Sequence, residues 1–267
     1  MKRLLNIALD NAVALGVVVI VLFLIIPLPT FLLDFLLIVN IGLAIMILMI
    51  TMNISEALEF SIFPSLLLVT TLFRLGLNVS STRMILRDGY AGEVIQNFGQ
   101  LITGGNIVIG VVIFLIIVLV QFIVITKGAE RVAEVAARFT LDAMPGKQMA
   151  IDADLSSGLI NEQEARARRQ KIQKEADFYG AMDGATKIVK GDAVMSIVIT
   201  LINFVGGVII GMVMGGGDFT TVLQTYSIVT IGDGLVSQLP ALMISTATGM
   251  VVTRSVSEGS LNRDVRS

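Results

Sequence analysis

The sequence predicts an all-α, polytopic membrane protein, and three observations carry that expectation. Of 267 residues, 55% are apolar and only 15% charged, against about 45–50% and about 25% in ordinary soluble domains. Mean hydropathy is +0.87. Six stretches reach or approach the roughly 20 apolar residues that a helix needs to cross a bilayer. A single water-soluble core cannot absorb that much apolar surface at this length.

The first stretch runs from about Val13 to Leu28 and ends at Pro27 and Pro29. Lys2 and Arg3 precede it, as in a signal peptide. The run is nevertheless about as long as a span, no small-residue cleavage site follows, and another span comes at once, so a first transmembrane helix is expected. The second spans Phe31 to Met52, the third Ile62 to Val79, the fourth Ile107 to Thr126, the fifth Ala193 to Met214 and the sixth Val236 to Thr253. Gly104-Gly105-Asn106 and Gly215-Gly216-Gly217 read as turns at span ends.

Between the fourth and fifth spans lies a polar insertion. Ala129 to Ala137 reads as a short helix continuing span four, and Met144-Pro145-Gly146 as a breaker. Asn161 is a candidate N-cap, with Glu164 three residues on to complete a capping box. The helix it opens is expected to run to about Tyr179, with Glu162–Arg166 and Glu164–Arg168 as i,i+4 ion pairs. The expected division is therefore 1–126 (four spans), 127–192 (helical insertion), 193–253 (two spans) and 254–267 (tail).

Charge placement orients these segments. Eleven of the nineteen Lys and Arg residues fall between Lys127 and Ala193, two lie at the N-terminus, and the tail holds Arg254, Arg263 and Arg266. Cytoplasmic segments carry the excess of Lys and Arg, so the insertion and both termini are expected in the cytoplasm. Arg74, Arg83 and Arg87, in or just after span three, oppose that rule mildly and need a reason.

The residues present limit the chemistry. Histidine and cysteine are both absent, which removes disulfides, Cys or His metal sites, thiol nucleophiles and Ser–His–Asp triads. The formal charge of −2 provides no basic field for nucleic acid. Pro145-Gly146-Lys147-Gln148 lacks the upstream glycine and following hydroxyl of a phosphate loop. Asp152, Asp154 and Ser156 imitate the start of a calcium loop, but Ser157 replaces its glycine and Gln163 its bidentate Glu. No metal or cofactor is expected, and an intramembrane enzyme is disfavoured because no paired aspartates are evident in adjacent spans.

What remains are ionisable residues within or beside spans, which are expensive there and hence functional candidates. Asp34 lies near the start of span two, Arg74 inside span three, and Asp192, with Lys187 and Lys190, where span five begins. Each also has a plainer reading. Asp192 and the lysines could be headgroup-level charges. Asp34 could be an interfacial carboxylate beside the Pro27–Pro29 turn, and Arg74 could pair structurally with a carboxylate such as Asp34 or Glu59. Small residues recur at helix-contact spacing: Gly207, Gly211 and Gly215 in span five, and Ala241, Ser245 and Gly249 in span six. They allow close backbone approach, within one chain or between copies.

Several segments carry a family resemblance. Arg138 to Leu155, reading RFTLDAMPGKQMAIDADL, resembles the signature of the flagellar and type III secretion export-gate proteins, the FHIPEP family. RLGLNVSSTR (Arg74 to Arg83), Gly104-Gly105-Asn106, ITKG (Ile125 to Gly128), EADFYGAMDGA (Glu175 to Ala185), Gly191-Asp192 and IGDGLVSQLP (Ile231 to Pro240) agree with it, so the resemblance covers nearly the whole chain. It implies an inner-membrane protein that forms a ring, a nonamer in this family, around a core export gate. It also implies coupling of proton motive force, in some members sodium, to the export of proteins, assisted by a separate ATPase complex. The expected partners are copies of itself, other gate membrane proteins, the ATPase complex, exported flagellar proteins and lipid. The flagellar branch is the first expectation and an injectisome homologue the alternative. Family members continue with two further spans, a linker and a large cytoplasmic domain, so a chain ending at Ser267 is expected to correspond to the N-terminal membrane part.

The resemblance adds Arg83 to the charged membrane positions Asp34, Arg74, Lys187 and Asp192, which become the coupling candidates. Asp34 and Asp192 are expected to change protonation or ion occupancy, with Arg74, Arg83 and Lys187 setting their affinities. Arg138, Asp142, Pro145, Gly146, Lys147, Asp152 and Asp154 belong to the insertion's signature. Asp142 and Lys147 are expected to order it against neighbouring subunits rather than do chemistry. Two rivals stand beside this: an independent ion transporter or channel, and a structural ring scaffold whose charges only pair.

Overall fold

A computed structural model describes residues 12–123, 128, 130–214 and 218–254. Lys2, Arg3, Lys127, Gly215 and the tail beyond Arg254 lie outside them. The described residues form helices α1 (Ala12–Ile25), α2 (Thr30–Asn53), a 3-10 turn (Ala57–Phe60), α3 (Phe63–Asp88), α4 (Glu93–Thr103), α5 (Ile107–Ile123), α6 (Glu130–Ser156), α7 (Glu162–Met214) and α8 (Phe219–Thr253). Among them α2, α3, α7 and α8 are long and apolar enough to cross a membrane. The pair α4 and α5, bent by 103° at its break, makes a fifth crossing if it is one broken span, and α1 is a shorter apolar helix. The molecule is thus an all-α polytopic membrane protein.

Burial orders the helices. The apolar windows of α3 and α8 are 61% and 67% buried, those of α2 and α7 only 28% and 22%, so α3 and α8 are the centre. Large apolar side chains along α1 and α5, such as Val18, Ile25, Val112, Leu115 and Leu119, are exposed. That outward surface is what a bilayer-facing helix presents.

Four sequence expectations about helix limits are corrected, the first being that α3 runs past the expected Val79, through Arg83, to Asp88. The expected breaker at Met144-Pro145-Gly146 lies inside α6. Proline removes one ladder bond, to the Leu141 carbonyl, and crowds that turn. Here Pro145 is on the exposed side, while Ala133, Ala137 and Ile151 bury the other side and hold both halves in place. The helix expected to stop near Tyr179 instead runs on through Asp192 as one 53-residue α7. Gly180, Gly184 and Gly191 interrupt its apolar pattern without breaking its backbone. The sixth span begins at Phe219, seventeen residues before the expected Val236, because Thr, Ser, Gly and Asp between Thr220 and Gly234 lower its hydropathy.

The insertion is a helical hairpin of α6 and the first half of α7. Its turn is set by the predicted capping box: Asn161 N–H donates to Glu164 Oε2 and Glu164 N–H to Asn161 Oδ1, both at 2.9 Å. Glu162–Arg166 forms at 3.7 Å. The expected Glu164–Arg168 pair does not: Glu164 is committed to the cap, and Arg168 reaches Asp154 at 3.1 Å. Across the hairpin, Lys147 meets Glu175 at 3.0 Å, Arg169 meets Asp152, and Lys171 meets Glu56 before the 3-10 turn at 3.1 Å. These solvent-exposed pairs contribute about 0–1 kcal/mol each. The apolar contacts of Ala133, Ala137, Phe178, Tyr179 and Met182 supply most of the docking. Asn161→Ala should loosen the turn by about 1 kcal/mol. Faster amide exchange over residues 157–165, with the seam helices unchanged, is the expected readout.

Candidate functional site

Along the contact of α3, α7 and α8 runs a buried polar seam. Helical spacing lines it up. On α3, Arg74, Asn78 and Ser81 follow at i, i+4 and i+7. On α7, Asp192, Ser196 and Asn203 follow at i, i+4 and i+11, and on α8 Asp233 and Ser237 stand at i and i+4. Each set lies on one helical face. All eight residues are at most 9% exposed. From Asp192 to Asn203 the seam extends about 16 Å along α7 at about 1.5 Å per residue.

At one end, Arg74 Nη2 donates to Asp192 Oδ2, with the two side chains 2% and 1% exposed. In the middle, Ser237 Oγ donates to Asn78 Oδ1 at 2.6 Å, and Asn78 Nδ2 lies 3.5 Å from Ser196 Oγ. At the other end, Asn203 Nδ2 donates to Asp233 Oδ2 at 2.8 Å. Several buried polar atoms retain unused capacity: Arg74 Nε, Asp192 Oδ1 and Asn203 Oδ1 in the seam, and Thr230 Oγ1, Gln238 Oε1 and Ser245 Oγ elsewhere on α8, have no hydrogen-bond partner in the structure. Such atoms are costly in an apolar interior. Behind Thr230, between α5, α7 and α8, an apolar cavity of about 300 Å³ is lined by Phe114, Leu115, Phe204 and Ile231 among others.

The sequence-predicted residues separate on this map. Arg74 pairs, as its plainer reading expected, but its partner is Asp192. Asp34 and Glu59, the partners named from sequence, are engaged elsewhere. Glu59 Oε2 accepts the Ser55 N–H at 2.8 Å. Asp34 accepts the N–H groups of Glu93 and Val94 at 2.9 and 3.0 Å, at the start of α4. Asp192 lies within the unbroken α7 and is buried against the neighbouring helices. Arg83 donates to the carbonyls of Leu24 and Ile25 at 2.9 and 3.0 Å, satisfying the last turn of α1 where cations are favoured. Lys187 donates to Asp183 Oδ2 at 2.7 Å, one turn back on α7.

In the signature, Arg138 and Asp142 form an exposed i,i+4 pair at 3.9 Å, while Lys147, Asp152 and Asp154 join α6 to α7 within the chain. Gly207 and Gly211 pack against the Tyr226 ring of α8, so this stripe serves an intrachain contact. Ala241 and Ser245 are buried, and Gly249 has nothing within 4 Å of where its Cβ would be.

Sequence reasoning missed Asp233, together with Asn78 and Asn203. Its signal was present: an aspartate inside a span is exceptional. It became legible only once that span was extended back to Phe219.

Comparison with known proteins adds the lineage. A model of the FHIPEP family matches residues 20–267. The flagellar biosynthesis protein FlhA of Bacillus subtilis (strain 168) is 60% identical over 96% of this chain and 38% of its own length. FlhA of Caulobacter vibrioides is 57% identical over 95% of this chain and 37% of its own. The low calcium response locus protein D of Yersinia pestis is 53% identical over 94% of this chain and 36% of its own. No solved structure matches significantly. The chain spans little more than a third of the length of these relatives.

Proposed function

Because the chain belongs to the FHIPEP family, we propose that it is the membrane part of a type III protein-export gate that couples proton or sodium motive force to the export of flagellar proteins. It would act in the bacterial inner membrane, with both termini and the α6–α7 hairpin in the cytoplasm. That is the side on which positive charge accumulates. Its partners would be further copies in a ring, the nonamer expected of the family, with other gate membrane proteins and an export ATPase complex. No enzymatic step is assigned to it.

The observation that carries this reading is the buried Arg74–Asp192 pair at the head of the seam. A desolvated ion pair is held only while both partners are charged. If Asp192 takes up a proton, Arg74 keeps its charge, since a guanidinium does not deprotonate. It then lacks its counterion in a medium where that costs several kcal/mol. The arrangement must relax, by a shift of α7 along α3 or by Arg74 finding another acceptor in the seam. Because α7 is a single helix, such a shift carries to the turn of the hairpin about 45 Å away, thirty residues at about 1.5 Å each. Moving one charge across the membrane supplies about 2.3 kcal/mol per 100 mV, so a ring of copies could sum modest biases into useful work.

The test is Asp192→Asn in the full-length protein in its host. Export per copy of inserted protein should fall at least tenfold, and Asp192→Glu should restore part of it. Parental export by Asp192→Asn at reduced ATPase activity would overturn coupling through this pair and favour the scaffold reading. Ion flux through the purified protein without other gate components would instead favour an independent channel.

A further inference from the structure

We propose that Asp34 is a positioning residue: its carboxylate seats the broken helix α4 against the turn of α8 that carries Asp233, and it does not work by gaining and losing a proton or ion. Three independent contacts lead there. Both Asp34 oxygens are taken by backbone donors, Oδ2 by Glu93 N–H and Oδ1 by Val94 N–H at 2.9 and 3.0 Å. The first turn of a helix has N–H groups with no partner of their own, and the residue before α4, Gly92, has no side chain with which to cap it. An anion brought from another helix therefore does the capping, with the helix dipole adding to its hold.

Second, the chain is shaped to admit that anion. Gly92 sits at φ +107°, and a Cβ there would fall on the Asp34 carboxyl group. A glycine is required at this position both for the backbone angle and for the space.

Third, what the cap holds in place is the flank of the buried polar seam, whose functional weight rests on the export reading. α4 crosses α8 backbone to backbone. A Cβ on Gly99 would meet the Ile228 carbonyl, and one on Gly232, adjacent to Asp233, would meet the Ile95 carbonyl. Phe98 then joins Phe114, Ile231 and Leu235 in one apolar cluster. The line runs from Asp34 to the α4 N-terminus, along two turns of α4, and onto the α8 residue that precedes Asp233.

The test uses the absence of cysteine from this chain. In the full-length protein, freed of any cysteine outside this region, Phe98→Cys and Ile231→Cys report the α4–α8 contact through bismaleimide cross-linking in native membranes at acidic and neutral pH. Asp34→Ala should lower the cross-linking rate roughly three- to tenfold, the range of a lost cap. Gly92→Ala should reproduce that loss with Asp34 intact. Asp34→Asn cannot titrate, keeps one of the two acceptor oxygens and turns an NH2 toward the other N–H; it should cross-link at a rate between Asp34→Ala and the parent, with export falling in step and the pH profile of export unchanged. Two results would overturn the proposal: parental cross-linking in both Asp34→Ala and Gly92→Ala, or an Asp34→Asn variant that cross-links normally yet has lost export or shifted its pH profile. Cross-linking does not depend on export, so failure of the export reading would leave this result interpretable.

Discussion

Arg74→Ala is expected to be the most damaging substitution of a charged residue in the bundle. It leaves the Asp192 carboxylate buried with no counterion, a loss of about 3–5 kcal/mol for breaking a desolvated pair. That is a large share of the stability of any domain. Asp192→Ala strands the guanidinium in the same way. The expected result is a sharp drop in folded protein recovered from membranes and a lowered midpoint in thermal unfolding of what is recovered. The double replacement Arg74→Met with Asp192→Leu removes both charges at similar volume and should restore most of that stability, because replacing a buried pair by apolar side chains is often neutral or favourable. Export should nevertheless stay absent. That separation, stability regained and coupling lost, is what a working pair predicts and a merely structural one does not. A double variant that exports normally would assign the pair to folding alone. Single variants as stable as the parent would show instead that the pair is not desolvated in the membrane.

The same pair shows what the sequence could and could not reveal. Composition and apolar run length were enough for the fold class, because a bilayer-crossing helix is a local property of about 20 residues. Asn161 and Glu164 announced their capping box across three residues, and the structure forms it. The partner of Arg74 was out of reach because Asp192 lies 118 residues away and at the edge of the apolar run, where a carboxylate reads as interfacial. Only the continuity of α7 through Gly180, Gly184 and Gly191, each weak in helix propensity, places it inside. Asp233 was hidden differently. Its neighbours Thr230, Gly232 and Gly234 are small or polar because they line close helix contacts, and those residues pull hydropathy down until the segment no longer looks like a span. The most buried helix, α8, was thus the one whose limits were hardest to read. Asp34 was visible as a charge, but its role depends on the backbone of α4, which side-chain pattern does not encode.

Gly232→Ala should be the most disruptive of the small substitutions, although it adds a single methyl group. That methyl would collide with the Ile95 carbonyl of α4. A flexible side chain could swing aside at modest cost. A helix backbone cannot, so α4 and α8 must separate along their whole crossing. Overpacking typically costs about 1–3 kcal/mol, and a contact with backbone on the far side belongs at the upper end or beyond. Gly99→Ala meets the Ile228 carbonyl in the same crossing and should cost a comparable amount. Because one displacement relieves both clashes, the double variant should lose much less than the sum of the two, the sign of coupled sites. Gly249→Ala lies on the same α8 with nothing within 4 Å of its Cβ. There the methyl meets no neighbour and alanine's helix propensity favours it by up to about 1 kcal/mol, so its unfolding midpoint should hold or rise. Thermal unfolding of the four variants in one detergent decides the matter. Equal midpoints for Gly232→Ala and Gly249→Ala would mean that α4 does not cross α8 at backbone contact, and the route from Asp34 to the Asp233 turn would be lost with it.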